Sequence, residues 1–153
     1  MISTADCVPV LFFDATQKNV AIAHAGWKGA IRGIVQNTIK AMLDLGSSIK
    51  NIEVVIGPCI AQESYEVGID FYDQIILENQ QYKQFFISAE KENHFMFDLP
   101  GFVMELLKES KIEKILSLGE NTYNSKQWFS YRRDTHQNDK VRTGHLLSFI
   151  GIR

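Results

Sequence analysis

The chain has few of the features that mark secreted or membrane-spanning proteins. Its 153 residues include only two cysteines, Cys7 and Cys59. Two cysteines are too few for the disulfide framework of a small secreted domain, so both thiols are expected to stay reduced. No apolar run approaches the roughly 20 residues that span a bilayer, and no signal-peptide pattern is present. These absences predict a cytoplasmic protein that does not bind membranes.

Positive charge is also scarce. The formal net charge is −2, and no lysine- or arginine-rich run offsets it. A protein that binds the phosphate backbone of nucleic acid needs a basic surface. Nucleic acid is therefore not an expected partner.

What the sequence does contain is the composition of one globular domain, with 45% hydrophobic and 22% charged residues. A chain of this length can bury one core. Residue periodicity and turn signals predict a mixed order of elements. Helices are expected over Ala30–Leu45, Gly68–Glu78 and Asp98–Lys108, and strands over Ile52–Ile56, Ile112–Leu118, Trp128–Asp134 and Leu146–Ile150.

Cys7 and His24 are the first candidate site. Each lies at the end of an apolar run that reads as a buried strand, and the polar residues 14–19 between the two runs predict a hairpin. The hairpin would bring a thiol and an imidazole close enough to share a proton or a metal ion. A buried cysteine is often only a small hydrophobe, but His24 interrupts an apolar strand just before a glycine, where catalytic loops often begin.

The arginine pair Arg132-Arg133 is the second candidate site. On the predicted strand, neighbouring side chains point to opposite faces, so one arginine can enter a pocket while the other faces solvent or pairs with Asp134. A guanidinium binds phosphate well because it offers a bidentate fork. We expect Arg133 to be the anion-binding residue.

Four segments form a distinctive set, namely Thr4–Val10, His24–Gly29, Ile56–Ile60 and Ser130–Asp134, the last followed by Thr143-Gly144. Together they resemble the motifs of the YfiH family, which has been labelled polyphenol oxidase or laccase domain and was later linked to purine nucleoside phosphorolysis. The resemblance covers residues 1–153 as a single domain. It implies an α+β fold in which mixed β-sheets form a sandwich flanked by helices.

The resemblance also implies a zinc pocket built from two histidines and one cysteine. Cys7 matches the family's cysteine and His24 matches its second histidine. The first histidine belongs to an N-terminal segment that this sequence does not contain, so the chain is expected to be an N-terminally truncated form. The in-chain candidates for a third ligand are His94, His136 and His145, although none has the close spacing of a strong zinc motif.

The activity implied by the resemblance is zinc-dependent purine nucleoside phosphorolysis, with adenosine deamination as a second activity. Cys7 and His24 would be the catalytic and zinc-binding residues, and Arg133 would bind the substrate. The partners would be a purine nucleoside and phosphate. Two departures from the family pattern, Lys28 and His145 in place of arginines, affect the expected substrate binding more than the fold.

Three other functions can be compared with the residues of this chain. A laccase mechanism is rejected because a multicopper centre needs a dense array of imidazoles, and the chain has four histidines without a His-x-His pair. A metal-free cysteine hydrolase or deamidase, in which His24 lowers the pKa of Cys7, uses the same two residues. An inactive remnant that binds purines is the third alternative.

The truncated form is expected to bind zinc weakly and to self-associate as a homo-oligomer through an exposed apolar edge.

Overall fold

A computed structural model describes residues 1–137 and 144–152 of the chain. The helices in this part are α1 (Trp27–Ile31), α2 (Ile34–Asp44), α3 (Ile69–Glu78), α4 (Leu99–Glu109) and α5 (Tyr131–Gln137). The strands are β1 (Ile2–Thr4), β2 (Val8–Asp14), β3 (Asn19–Ala25), β4 (Ile52–Ile56), β5 (Glu66–Gly68), β6 (Phe86–Ser88), β7 (His94–Phe97), β8 (Lys114–Ser117) and β9 (Leu146–Ser148).

The strands form three sheets. The four-stranded sheet has the order β3-β2-β4-β8, in which β2 is antiparallel to both neighbours and β4 is parallel to β8. A three-stranded antiparallel sheet has the order β5-β7-β6, and β1 pairs with β9. The predicted α+β fold of mixed sheets and helices is confirmed, as is the hairpin of β2 and β3.

The core lies against the four-stranded sheet. Alternate residues of β2, namely Val8, Val10 and Phe12, are fully buried, as the two-residue period of a strand requires when one face is covered. They belong to one hydrophobic cluster with the apolar faces of α2 and α4. This cluster fixes the ends of β2 and β3, where the predicted site residues lie.

Helix α4 begins as the sequence predicts. The Asp98 carboxylate accepts a hydrogen bond from the Gly101 N–H at 2.9 Å, and Pro100 occupies the first turn. A side-chain oxygen at the N-cap satisfies one of the free N–H groups at a helix start.

No helix in the described ranges is long and apolar enough to cross a membrane.

Two predicted elements are wrong. The helix predicted over Ala30–Leu45 is divided into α1 and α2, because Gly33 has a φ of 83°, which interrupts the helical backbone. The strand predicted over Trp128–Asp134 is replaced by a loop and helix α5. The Ser130 hydroxyl accepts a hydrogen bond from the Arg133 N–H at 3.1 Å, which is the N-cap contact that starts a helix.

Candidate active site

A cavity of about 270 Å³ lies where the β1–β2 connection meets α1, α5 and the segment before β5. Cys7 is the predicted site residue that lines it. The cavity also contains one cationic side chain and three aromatic ones, so it can hold a ligand that is flat in one part and anionic in another. Its lining residues are Ala5, Asp6, Cys7, Trp27, Ile60, Tyr65, Leu99, Tyr131 and Arg132.

Cys7 lies one residue before β2 and is half-buried. A Cβ atom placed on Gly26 would lie 2.9 Å from the Cys7 Sγ, so the thiol packs directly over this glycine. Burial, and to a smaller extent the charge of Asp6, raise the pKa of the Cys7 thiol above its usual value of 9.0. The thiol is therefore protonated at neutral pH unless a metal or another cation displaces the proton.

His24 lies opposite Pro9 in the β2–β3 hairpin. Because side chains alternate along a strand, Cys7 and His24 fall on the same face of the hairpin, at diagonal positions. The contact between Cys7 and Gly26 agrees with this register. His24 is exposed and, in the described ranges, does not line the Cys7 cavity. Its catalytic and zinc-binding roles stay predictions.

Asp6 ties the β1–β2 connection to the rest of the site. One carboxylate oxygen accepts the Thr122 hydroxyl at 2.6 Å and the other accepts the Arg132 backbone N–H at 2.7 Å. Its carbonyl accepts the Ile60 N–H at 2.9 Å. Asp6 has a φ of 80°, which is unfavourable for a residue other than glycine. These hydrogen bonds hold Asp6 in that conformation and so fix the position of Cys7.

Arg132, rather than Arg133, lines the cavity. Its Nη1 donates to the Glu66 carbonyl at 2.6 Å. Its Cζ lies 5.0 Å from the centre of the Tyr65 ring, which is the geometry of a cation–π contact. These two contacts hold a half-buried guanidinium at the cavity wall.

The Arg133 guanidinium instead binds four backbone carbonyls. Nη1 donates to Thr122, Tyr123 and Ser125 at 2.7, 2.9 and 2.8 Å, and Nη2 donates to Trp128 at 2.6 Å. These bonds close the loop that precedes α5, and the same loop presents the Thr122 hydroxyl to Asp6. The contacts favour a structural role for Arg133, and its substrate-binding role stays a prediction.

Aromatic side chains form the other wall of the cavity. Trp27 packs against Phe71 with ring centres 4.6 Å apart, and Tyr65 packs against Phe71 and Phe97 at 6.0 and 5.9 Å. Burial raises the pKa of Tyr65 to about 12, although the charge of Arg132 opposes this shift. The Tyr65 hydroxyl therefore keeps its proton at neutral pH and can donate a hydrogen bond.

The other histidines that could complete a zinc site lie elsewhere. Nδ1 of His94 is 2.9 Å from the Glu92 carbonyl, and Nδ1 of His136 is 3.2 Å from the Tyr123 hydroxyl. His145 lines a separate groove. Within residues 1–137 and 144–152, no group of three His, Cys, Asp or Glu side chains is placed to hold a metal. The described residues therefore do not form a complete zinc site, and we assign no chemical step to zinc.

Sequence reasoning missed the roles of Asp6, Tyr65 and Arg132. The prediction of a strand around Arg132 assigned the two arginines to opposite faces of a sheet, whereas both lie in the first turn of a helix. Ser130, a good N-cap residue, was the signal for that helix. Nothing local marked Tyr65, which reaches the cavity only through tertiary packing.

Comparisons with known proteins agree with this fold. The model of a family described as multi-copper polyphenol oxidoreductase laccase matches residues 1–153. The crystal structure of a hypothetical protein YfiH from Bacillus licheniformis superimposes with a TM-score of 0.78 at 35% identity. The superposition covers 87% of this chain and 51% of that one.

Several curated relatives carry the name purine nucleoside phosphorylase. The relative from Rickettsia conorii is 45% identical over 152 residues, and purine nucleoside phosphorylase YfiH of Escherichia coli K12 is 31% identical over 152 residues. Each alignment covers 99% of this chain but only 62% and 58% of the respective relative. The full-length family match, together with these relatives, shows that the chain belongs to the YfiH family, whose model is described as multi-copper polyphenol oxidoreductase laccase.

Proposed function

We propose that the Cys7 cavity is a site for phosphorolysis of purine nucleosides. The observation that carries this proposal is the pairing of one cationic side chain, Arg132, with the aromatic side chains of Trp27, Tyr65 and Tyr131 around one cavity. A purine can stack on aromatic rings, and phosphate is attracted by a guanidinium. The names of the relatives from Rickettsia conorii and Escherichia coli support the same substrates.

The reaction makes one bond and breaks one. A phosphate oxygen attacks C1′ of the ribose, and the bond from C1′ to the purine N9 breaks. Its electron pair goes to the purine, which takes up a proton, and the other product is ribose 1-phosphate. The site must therefore bind an anion beside C1′ and provide a hydrogen-bond donor for the departing base.

Several residues fit these tasks. Tyr65 lines the cavity, and its hydroxyl is a neutral donor because burial raises its pKa to about 12. Trp27 and Tyr131 offer apolar faces that exclude water from a bound purine. Cys7 and His24 remain the predicted catalytic pair and the predicted zinc ligands. A zinc ion held by them would supply Lewis acidity and an activated water.

The cysteine hydrolase is the less favoured alternative. It requires the Cys7 thiolate as nucleophile, and that requires a lowered pKa. Burial and the negative charge of Asp6 instead raise the pKa of Cys7. No hydrogen bond between Cys7 and His24 is found among the described residues. Phosphorolysis therefore suits the electrostatics of the cavity better.

Product analysis tests the proposal. Purified protein is incubated with adenosine and phosphate, with and without zinc, and adenine, ribose 1-phosphate and inosine are quantified by chromatography. Phosphorolysis gives adenine and ribose 1-phosphate in equal amounts, and only when phosphate is present. Inosine would report the second predicted activity, adenosine deamination.

The matched variants are Cys7→Ala and Cys59→Ala. Cys59 is the more deeply buried of the two cysteines and does not line the cavity in the described structure, so its replacement should leave activity close to that of the unmodified chain. Turnover of an amide substrate without any of the three nucleoside products would replace phosphorolysis with the hydrolase.

A further inference from the structure

We propose that Arg132 binds the phosphate group in the Cys7 cavity, a role that sequence reasoning gave to its neighbour Arg133. The inference rests on the proposed function, because it assigns the anion site of that reaction. It starts from the difference between two adjacent guanidinium groups in the first turn of α5.

Some hydrogen-bond donors of the Arg132 guanidinium have no partner among the described residues. Its Nη1 donates to the Glu66 carbonyl, whereas Nε and Nη2 donate no hydrogen bond to the residues the structure describes. By contrast, both terminal nitrogens of Arg133 already bind carbonyls. Arg132 can therefore offer the Nε and Nη2 N–H groups to an oxyanion in the cavity that it lines, whereas the guanidinium of Arg133 is anchored to carbonyls outside that lining.

The charge of Arg132 also has no ion-pair partner among the residues that the structure describes. The carboxylate of Asp6 lies in the same cavity, but its two oxygens accept the Thr122 hydroxyl and the Arg132 backbone N–H. A half-buried cation beside aromatic walls attracts an anion more strongly than one in bulk water.

The position of the guanidinium is fixed from three directions. The backbone N–H of Arg132 is held by Asp6, its Nη1 by the Glu66 carbonyl, and its flat face by Tyr65. A fork held in place loses little entropy when it binds a ligand. Because Asp6 is the neighbour of Cys7, the same contacts place the guanidinium in the wall of the cavity that Cys7 also lines.

A second groove also combines cations with an aromatic ring, but it makes a weaker anion site. It is lined by Trp27, Lys28 and Arg32, among others. Lys28 and Arg32 are exposed, so water screens their charge. Arg32 therefore supplies a matched control for the loss of one arginine.

Kinetics with Arg132→Gln, Arg132→Lys and Arg32→Gln test the inference. We expect Arg132→Gln to raise the KM for phosphate about 10- to 100-fold, as loss of a charged bidentate contact would, while the KM for the nucleoside changes little. Arg132→Lys keeps the charge but loses the fork, so its KM for phosphate should fall between those of Arg132→Gln and the unmodified chain. In the reverse reaction the KM for ribose 1-phosphate should rise in the same order, and Arg32→Gln should match the unmodified chain.

A direct measurement of phosphate binding tests this inference separately from the proposed function. Inorganic phosphate is titrated into each folded variant by calorimetry, with folding checked by circular dichroism. Phosphate binding that depends on Arg132, without nucleoside turnover, supports the inference and removes the phosphorolysis proposal. If Arg132→Gln turns over nucleoside with an unchanged KM for phosphate, the inference is overturned and the proposed function stands. If Arg132→Gln does not fold, the same result in Arg132→Lys has the same meaning. Absence of both phosphate binding and turnover overturns both.

Discussion

Replacing Arg133 with alanine should destabilise the fold more than it harms phosphate binding. The guanidinium of Arg133 donates to the carbonyls of Thr122, Tyr123, Ser125 and Trp128 at 2.6 to 2.9 Å. A hydrogen bond to a charged group contributes about 1.5 to 3 kcal/mol, but four carbonyls share one half-buried side chain and water can reach some of them after its removal. We expect a loss of about 2 to 4 kcal/mol in the free energy of unfolding.

Urea denaturation followed by circular dichroism measures this loss. Arg133→Lys should be intermediate, because an ammonium has three donors but cannot reach all four carbonyls as a planar fork does. Arg32→Ala is the matched control, since Arg32 is exposed and its loss should change stability by no more than about 0.5 kcal/mol. A folded Arg133→Ala variant with unchanged stability and a raised KM for phosphate would refute the reasoning and support the substrate role.

Three further predictions concern the hairpin, alkaline pH and zinc. Gly26→Ala should push the Cys7 thiol aside, because the added Cβ would lie 2.9 Å from Sγ. Turnover should therefore fall at least about tenfold. The control is Gly68→Ala, which should leave turnover unchanged because the space around its Cβ is open. Burial raises the pKa of Cys59 from 9.0 to about 12, so the unfolded chain loses this proton at lower pH than the folded chain. Stability should hold below pH 9 and decline between pH 9 and 12, less steeply in Cys59→Ala, as denaturation at several pH values would reveal. Zinc titrated into the metal-free protein by calorimetry should bind more weakly to Cys7→Ser and His24→Ala than to the unmodified chain, and equal affinity in all three proteins would remove both residues from the role of ligand.

Much of the fold follows from local patterns in the sequence. The hairpin of β2 and β3, the strand β4 and the helices α3 and α4 lie where periodicity and capping residues predict them. The errors arise where a single residue overrides the pattern. Gly33 interrupts an apolar face that is periodic on both sides, and Ser130 starts a helix in a segment whose aromatic content favours a strand.

The site was less accessible to sequence reasoning because tertiary contacts assemble it. Cys7 could be identified from its place between a turn and an apolar run, and its neighbour Asp6 lies in the same motif. The partners of Asp6, however, are Thr122 and Arg132, which are 116 and 126 residues away along the chain. No local pattern predicts which of two adjacent arginines such contacts direct into a cavity.

A crystal structure of the chain with ribose 1-phosphate tests the central claim most directly. The account predicts the phosphate on the free N–H groups of Arg132 and the ribose beside Cys7, with the purine side of the cavity bounded by Trp27 and Tyr65. Arg133 should keep its carbonyl contacts in the complex. Phosphate bound to Arg133, or in the groove of Lys28 and Arg32 with the Cys7 cavity empty, would contradict the account.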